Sequence, residues 1–348
     1  MAITKSFFGN TPDGIAVTKY TLIGNNGLTV KVLDYGATLQ AIEFAGKDLL
    51  LGYENAADYT KADGYLGATV GRYANRINAG TFSLNGVTYH TTKNERGINQ
   101  LHGGEIGFSM KMWDMEILDA PIPTLKASLF SPDGEEGFPG NMDISVIFSV
   151  SDNNELSIRY IATSDKDTVA NFTNHAYFNL NGFDGGDIFD TEVVMDAYAY
   201  TPTNENLIPT GEILSVEGTP FDLRTPTTLG AVIHSDHPAI RACKGIDHNF
   251  VIAEKAGEMR RAMYVRSPKS GIAVTCFTDM PAIQIYTANG TAVEFGKGGP
   301  ITPHHGFCME TQLFPDTPNH PNFPPCILKA GETMETVTLY AFEKTDCN

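Results

Sequence analysis

Apolar and polar side chains alternate with a period of two wherever this chain shows a regular pattern. Residues 143–150 (DISVIFSV) and 155–160 (ELSIRY) both alternate in this way, and the polar run SDNN separates them at 151–154. Alternation with this period places successive side chains on opposite faces of a β-strand. Because a polar turn joins the two segments, they are predicted to form a β-hairpin.

A second hairpin is predicted around Asn85-Gly86, between residues 81–84 and 87–90. Asn-Gly readily adopts the positive φ angles that a two-residue hairpin turn requires. Segments rich in β-branched and aromatic residues predict further strands at 28–33, 271–277, 282–287 and 335–342. Helical periodicity is confined to short stretches such as 229–234. The pattern therefore favours one large antiparallel β structure with few short helices.

Length and composition leave this prediction intact. A chain of 348 residues suggests about two domains, yet its 34 glycines and 19 prolines are spread throughout, as a fold with many turns requires. No linker, charge block or internal repeat interrupts the sequence. We therefore expect a single domain over residues 1–348.

The charge balance and the missing motifs exclude several classes of protein. The formal net charge is −17, whereas proteins that bind nucleic acid through phosphate contacts need a basic face. The sequence contains no Walker A loop, no strand-linked GxGxxG, no GxSxG and no HExxH. These absences leave phosphate-loop and serine hydrolase functions without support. The negative charge does not argue against a neutral substrate.

The five cysteines and the N-terminus indicate a cellular compartment. The cysteines contain no CxxC pair and all lie in the last third of the chain, which suits neither a disulfide framework nor a zinc site. The first residues, MAITKSFFGN, lack the features of a signal peptide, and no apolar run is long enough to predict a membrane span. We expect a reduced, cytoplasmic protein without a membrane partner.

Residues 169–180 (VANFTNHAYFNL) contain a histidine among hydrogen-bonding side chains. Treated as one strand, the segment has a mostly apolar face, and its other face presents Asn171, Thr173, His175 and Tyr177. Such a face could form the floor of a polar pocket of about the size of a sugar. Equally, it could be a half-solvated strand of an ordinary antiparallel sheet.

Four other segments carry candidate chemistry, and each also has a purely structural interpretation. Glu310 follows Phe-Cys-Met, an apolar setting that would raise its basicity, although most glutamates are exposed or paired. His102 precedes two glycines that permit close approach by a ligand, but it could simply lie in a turn. Asp247 could belong to an Asx turn, and Asn75 and Arg76 could either bind vicinal hydroxyls or cap local backbone.

Taken together and in this order, the segments resemble the galactose mutarotase (aldose 1-epimerase) family. The resemblance covers most of the chain and rests on the following segments: GRYANRI (71–77), LHGG (101–104), SPDGEEGFPG (131–140), TNHAYFNL (173–180), LIPTGE (207–212), FDLR (221–224), GIDH (245–248) and ETQ (310–312). It implies an all-β fold, a large antiparallel β-sandwich of the galactose mutarotase type, with a sugar cleft across the sheet. It also implies interconversion of the α and β anomers of galactose and, by extension, of glucose.

The resemblance implies a role for each matching position. His175 would be the general acid that protonates the ring oxygen, and Glu310 the general base that takes the proton from the C1 hydroxyl. His102 would bind or polarise near the ring oxygen. Asn75, Arg76 and Asp247 would bind sugar hydroxyls, and pocket walls would come from Tyr177, Gln284 and Tyr286.

The chemistry of anomer exchange suits these residue types. Opening a pyranose removes a proton from O1 while another is delivered to the ring oxygen, and each positioned transfer contributes about 10²–10⁴-fold. A histidine near pKa ~6.5 and a glutamate raised above ~4.3 could both start in the required state. No electrons or groups are transferred, so the reaction calls for neither a cofactor nor a metal.

Three alternatives remain open at the level of sequence. A hexose-6-phosphate 1-epimerase would need extra cations at the cleft rim, for which the acidic balance offers no obvious cluster. A non-catalytic sugar-binding protein would keep the cleft without needing an acid–base pair. A metal-dependent isomerase would use His102, His175 and Glu310, which come from distant segments. A monomer and a homodimer are equally compatible with the sequence.

Overall fold

A computed structural model of the protein describes residues 2–61 and 64–347. Its first strands are β1 (Ala2–Asn10), β2 (Ala16–Ile23), β3 (Thr29–Leu33), β4 (Thr38–Phe44), β5 (Lys47–Asp48), β6 (Thr69–Val70), β7 (Arg76–Ile77), β8 (Thr81–Leu84), β9 (Val87–His90), β10 (Gln100–Leu101) and β11 (Asp114–Ile117). Next come β12 (Thr124–Ser131), β13 (Met142–Val150), β14 (Glu155–Ser164), β15 (Thr168–Val169), β16 (Thr173–Asn174), β17 (Tyr177–Phe178), β18 (Glu192–Met195), β19 (Ala199–Thr201), β20 (Leu214–Ser215) and β21 (Thr227–Thr228). The last are β22 (Asp247–Val251), β23 (Arg260–Ser267), β24 (Ile272–Thr278), β25 (Ala282–Tyr286), β26 (Val293–Gly296), β27 (Gly299–Ile301), β28 (Phe307–Gln312), β29 (Ile327–Leu328) and β30 (Thr333–Lys344).

Helices are few and short, as the sequence predicts. Within the described ranges the α-helices are α1 (Ala56–Tyr59), α2 (Leu229–Ile233) and α3 (Pro238–Cys243). None of these helices has the length and apolar character needed to cross a membrane. All five cysteines are free, in agreement with the absence of a disulfide pattern.

In the part of the chain that the structure describes, three larger sheets carry most of the strands, and five two-stranded ladders supplement them. The nine-stranded sheet has the order β11-β12-β13-β14-β30-β24-β23-β18-β21, and the six-stranded sheet has the order β17-β28-β25-β22-β19-β20. A five-stranded meander, β1 to β5, completes the set. Adjacent strands in all three sheets are antiparallel, which confirms the predicted all-β antiparallel fold.

The two predicted hairpins are confirmed. Strands β13 and β14 pair in register from Met142↔Ser164 to Val150↔Leu156, around the predicted turn. Strands β8 and β9 pair around Asn85 and Gly86, whose φ angles of 53° and 79° are both positive. The strands predicted at 28–33, 271–277, 282–287 and 335–342 correspond to β3, β24, β25 and β30, and the short helix predicted at 229–234 corresponds to α2.

The segment 169–180 is not one continuous strand, so that prediction is wrong. Its short pieces β15, β16 and β17 pair with three different partners, β29, β6 and β28. Because each piece joins a separate ladder, the alternation of faces does not persist along the segment. Every residue from 169 to 180 is buried, so the half-solvated interpretation is also wrong.

The six-stranded sheet has one face in the main core and one face free for chemistry. Ile283, Ile285 and Met309 pack in the same apolar cluster as Ile158 and Val146 of the nine-stranded sheet. The alternate residues of β22, β25 and β28 therefore point away from this core. This arrangement of packed sheets is the predicted sandwich, and the outward face of the smaller sheet carries the candidate site.

Candidate active site

Strand register brings the site residues of the six-stranded sheet side by side. Glu310 lies opposite Gln284, and Tyr286 lies between Asp247 and Cys308. On β28, Cys308 and Glu310 are two residues apart and share a face, because the intervening Met309 belongs to the main core. The sequence order F-C-M-E thus places a thiol and a carboxyl group on the chemical face of this sheet.

A cavity of about 680 Å³ opens over this face. Eight of the nine site residues predicted from the sequence surround it: Asn75, Arg76, His102, His175, Tyr177, Asp247, Tyr286 and Glu310. They come from segments that span most of the chain. The fold therefore gathers into one cavity a set of residues that no local spacing connects.

His175 and Glu310 face each other within this cavity. The imidazole Nε2 is 3.7 Å from Oε1 of Glu310, and both residues are at least 95% buried. Burial lowers the pKa of His175 to about 4. Burial, reinforced by the nearby charge of Asp247, raises the pKa of Glu310 well above its usual value, although Arg76 opposes the rise. An uncharged pair that shares one proton is the form that burial favours.

The raised basicity expected for Glu310 therefore agrees with the structure, whereas a histidine pKa near 6.5 does not. Aromatic rings explain the difference, because they replace water around the imidazole without supplying a compensating charge. His175 stacks on Tyr65 and Tyr177 with ring centroids 5.8 and 5.0 Å away. The ring of Tyr286 approaches it edge-on at 6.4 Å.

His102 is held as a neutral hydrogen-bond donor. The backbone N–H of Asn75 donates to Nδ1 of His102 at 3.2 Å, so a neutral His102 carries its proton on Nε2. Burial and the adjacent His175 hold the pKa of His102 well below its usual range. The loop after His102 is tightly packed, because a Cβ at Gly103 would lie 1.8 Å from the carbonyl oxygen of Gly71.

Arg76 supplies a fixed positive charge to the cavity. Its Nε and Nη2 donate to the carboxylate of Glu95 at distances of 3.0 and 2.7 Å. Burial alone would lower the pKa of Arg76, but Asp247 and Glu95 more than offset this and raise it. The side-chain oxygen of Asn75 accepts from the Arg76 backbone N–H at 2.9 Å, which leaves the Asn75 amide nitrogen as a potential donor to a ligand.

Gln284 is the predicted pocket wall that the structure places elsewhere. It lies on the expected face of β25, but it is absent from the cavity lining, and its Nε2 donates to Oδ1 of Asp247 at 2.6 Å. Alternation predicts the face of the strand on which a side chain lies. It does not predict whether a residue from another strand covers that side chain. Gln284 therefore orients Asp247 and reaches the cavity only through it.

Three residues near the His175–Glu310 pair carry contacts that the sequence analysis does not predict. Tyr65 covers His102 and His175, Glu95 holds Arg76, and Sγ of Cys308 lies 3.4 Å from Nδ1 of His175. Tyr65 and Glu95 carry no motif signal of their own. Cys308 had one, because it lies two residues before Glu310 and therefore shares its face.

Not every residue of the quoted motifs belongs to the cavity. Arg72 is buried, and its guanidinium donates to carbonyl groups of Pro139 and Gly140 at 3.0 and 2.8 Å. In the same loop, the carboxylate of Glu136 accepts from the backbone N–H of Ile106 at 2.9 Å, shortly after the segment that carries His102. These motif residues act as supports for the loops around the site.

A metal site is the other chemistry that this geometry suggests. Potential ligand atoms of His102, His175 and Glu310 lie within 4.8 Å of one another, so the fold unites three residues that are distant in sequence. A metal-bound histidine normally donates its second ring N–H to an acceptor. The Nδ1 of His102 instead accepts from the Asn75 N–H, so its lone pair is occupied and Nε2 carries hydrogen. The donor set therefore does not suit a resident cation.

Comparison with known proteins places this geometry in context. Residues 18–341 match the family described as Aldose 1-epimerase. The chain belongs to the aldose 1-epimerase family. It is 39% identical to galactose mutarotase of Sus scrofa over 98% of this chain and 99% of that protein. It is 35% identical to aldose 1-epimerase of Escherichia coli (strain K12), over 95% of this chain and 96% of that one.

A solved structure shows the same relationship at the level of the fold. The galactose 1-epimerase of Lactobacillus acidophilus NCFM superposes with a TM-score of 0.88 at 29% identity, covering 99% of each chain. Membership of the aldose 1-epimerase family identifies the chain as an isomerase-type enzyme. The predictions of fold, family and enzyme class are thereby confirmed.

Proposed function

We propose that this aldose 1-epimerase interconverts the α and β anomers of galactose and of glucose, with His175 as the acid and Glu310 as the base. The observation that carries the proposal is the 3.7 Å approach of the His175 Nε2 to the Glu310 Oε1 inside a cavity of sufficient size for a hexose. The relatives named galactose mutarotase point to the same substrate.

Ring opening follows from the two proton transfers. Glu310 takes the proton of the C1 hydroxyl, the C1–O1 bond becomes a carbonyl, and the bond from C1 to the ring oxygen breaks. The ring oxygen receives the proton of His175 Nε2 as that bond breaks. The aldehyde then rotates about C1–C2 and presents its other face, and reversal of both transfers closes the opposite anomer.

The protonation of the pair matches the stages of this cycle. Burial favours neutral His175 with protonated Glu310, which is the state that ring opening leaves behind. Transfer of the shared proton from Glu310 to His175 gives the protonated histidine and ionised glutamate that ring opening requires. This transfer needs no exchange of protons with water. One proton thus serves both directions of a reversible reaction.

The remaining cavity residues suit recognition of an uncharged sugar. Arg76 and the Nε2–H of His102 are donors, and Asp247 is an acceptor fixed by Gln284. Tyr177 and Tyr286 supply aromatic walls. We assign Tyr286 no proton-transfer role, because its hydroxyl is held by the backbone N–H of Gly290 at 3.1 Å and lies 3.4 Å from the Thr291 hydroxyl, and burial raises its pKa above the usual value.

Polarimetry of freshly dissolved α-D-galactose tests the assignment. His175→Asn and Glu310→Gln should each lower kcat by about 10²–10⁴-fold, because each removes one positioned proton transfer. Exposed residues of the same types provide matched controls, namely His90→Asn on β9 and Glu116→Gln on β11, which should retain wild-type rates. Near wild-type activity of either cavity variant would refute the mechanism.

A hexose-6-phosphate 1-epimerase is the closest rival. Of the two arginines at the cavity, Arg76 is already paired with Glu95, while Arg96 shares the lining with Glu205. A phosphate dianion would therefore meet one arginine that Glu95 does not hold, in a lining that also carries the carboxyl groups of Glu205 and Asp247. Higher kcat/KM on glucose 6-phosphate than on galactose would favour the rival.

Two further rivals have their own tests. Galactose binding without accelerated anomer exchange would identify a non-catalytic sugar-binding protein, and loss of activity with a chelator would identify a metal-dependent isomerase. The single-domain organisation of residues 1–348, the cytoplasmic location and the choice between monomer and homodimer stay predictions.

A further inference from the structure

One strand, β28, contacts both nitrogens of the catalytic imidazole. Glu310 lies 3.7 Å from Nε2 of His175, and Sγ of Cys308, two residues earlier on the same face, lies 3.4 Å from Nδ1. Cys308 is completely buried and is flanked in register by Tyr177 and Tyr286. The imidazole is therefore fixed at both ends by residues of a single strand.

We propose that Cys308 is a positioning residue that accepts the Nδ1–H of His175, so that every proton exchanged with Glu310 and the sugar passes through Nε2. The inference rests on the acid role proposed for His175. That role requires Nδ1 to keep its own proton both before and after the transfer, and hence to have an acceptor in both states. Among the side chains of the described residues, the hydrogen-bond partner of Nδ1 is the Cys308 sulfur.

A thiol suits this position because it is a weak and uncharged acceptor. A carboxylate in its place would stabilise the imidazolium form and make His175 a poorer acid toward the weakly basic ring oxygen. Burial and the adjacent carboxyl groups raise the pKa of the Cys308 thiol well above its usual value, so the sulfur stays protonated. Cys308 can then orient the imidazole without adding charge.

The other groups that face His175 define the background of any pH measurement. Glu310 shares the proton, and the other titratable side chains in contact are His102, Tyr65, Tyr177 and Tyr286. Arg76 and Asp247 are the nearby charged groups of the cavity. All of them are unchanged in variants at position 308, so a shift between such variants reports the Nδ1 contact.

Two substitutions at position 308 separate positioning from packing. Cys308→Ser keeps the shape of the side chain and offers His175 a stronger acceptor. It should therefore stabilise the imidazolium, raise the pKa of His175 and move the acid limb of the kcat–pH profile to higher pH. Cys308→Ala removes the sulfur acceptor and leaves the imidazole with the backbone of His175 as a hydrogen-bond partner. It should therefore move that limb to lower pH and reduce kcat about 2- to 10-fold, the range expected for one hydrogen bond. Activity should be largely retained in the serine variant.

Cys276→Ala provides the matched control. Cys276 is equally buried but lies on β24 of the nine-stranded sheet. This variant should lose thermal stability while keeping the wild-type pH profile. If both variants at position 308 also keep the wild-type profile, Cys308 is packing alone and the proposal fails.

A readout independent of turnover keeps this inference distinct from the proposed function. Nitrogen-15 NMR of the free protein, with the His175 signals assigned by their loss in His175→Asn, reports which ring nitrogen carries the proton. We expect a protonated Nδ1 in the wild type and a mixture of tautomers in Cys308→Ala. A wild-type imidazole protonated on Nε2 alone would overturn the proposal even if the enzyme proves active, whereas protonated Nδ1 in an inactive protein would contradict only the function.

Discussion

Two regions of the cavity hold their functional groups in opposite ways. In the charged region, Arg76 is paired with Glu95, and Asp247 is fixed by Gln284. In the aromatic region, the ring of His175 contacts Tyr65, Tyr177 and Tyr286, and the ring of His102 contacts Tyr65. The first region keeps Arg76 charged by pairing it, and the second keeps its histidines neutral by excluding water.

With the roles proposed above, the contrast separates the groups that would bind the sugar from those that would transfer protons. A guanidinium held by an ion pair does not give up its proton, so Arg76 can orient hydroxyl groups but cannot exchange protons with them. Imidazoles whose charged forms are disfavoured by burial release a proton readily. Glu310 belongs to both regions, because Asp247 and burial raise its pKa while Arg76 lowers it.

The largest effect on binding is expected from Arg76→Lys. An ammonium group cannot reproduce the forked contact with Glu95 and still reach a ligand, so we expect KM for galactose to rise about 10- to 100-fold with little change in kcat. Steady-state polarimetry measures both constants. Arg159→Lys, at the exposed pair with Glu335, is the control and should leave KM unchanged. An equal fall in kcat would show that Arg76 also takes part in the chemical step.

A stability effect of intermediate size is expected from Glu310→Gln. The pKa of Glu310 is higher in the folded protein than in the unfolded chain, where it is near 4.5. The contribution of this carboxyl group to folding stability is therefore complete below the unfolded-state pKa and is lost as the pH rises through the folded-state pKa. Glutamine does not ionise, so the variant should be more stable than the wild type in alkaline buffer by about 1–2 kcal/mol. The difference should shrink toward pH 4.

Denaturant unfolding of the two proteins across this pH range measures the effect. The Glu116→Gln variant, altered at an exposed site on β11, should follow the wild type at every pH. A Glu310→Gln variant that is less stable at high pH would mean that the carboxylate is well solvated in the folded protein. That result would remove the physical reason for a raised pKa.

The smallest effect is expected from Glu95→Gln. Loss of the carboxylate removes the ion pair with Arg76 but leaves the guanidinium in the cavity. The KM for galactose should therefore rise about 2- to 10-fold at constant kcat. Glu335→Gln, which breaks an exposed pair on the nine-stranded sheet, should have no effect on KM. An unchanged KM in Glu95→Gln would show that packing alone holds Arg76.

Local patterns in the sequence predict the hairpins and the faces of the strands well. Asn85-Gly86 needs no tertiary contact to specify its turn, and the alternation on β13 and β14 survives because one face is buried. The segment 169–180 fails because its pieces pair with three separate strands, which is a property of the whole fold. Alternation cannot reveal where a strand ends its pairing.

The same limit applies to the site. His175 and Glu310 were found through motif resemblance, and their environment of aromatic rings was not. Tyr65 and Glu95 reach the site through contacts with residues that are distant in sequence. The residues next to them in the chain therefore give no indication of their roles. The alternation on β25 predicts the correct face for Gln284. It cannot predict that Asp247, which comes from another strand, lies between Gln284 and the cavity.

Under the proposed mechanism, the two contacts of β28 with the His175 imidazole make activity depend on the pairing of a single strand. Sliding β28 by one residue would turn Cys308 and Glu310 into the apolar interior together and present Met309 to the sugar. His175 would then lose its contacts with both Cys308 and Glu310. If His175 and Glu310 act as proposed, a refolding chain should gain activity only after β28 and β25 have paired in the native register.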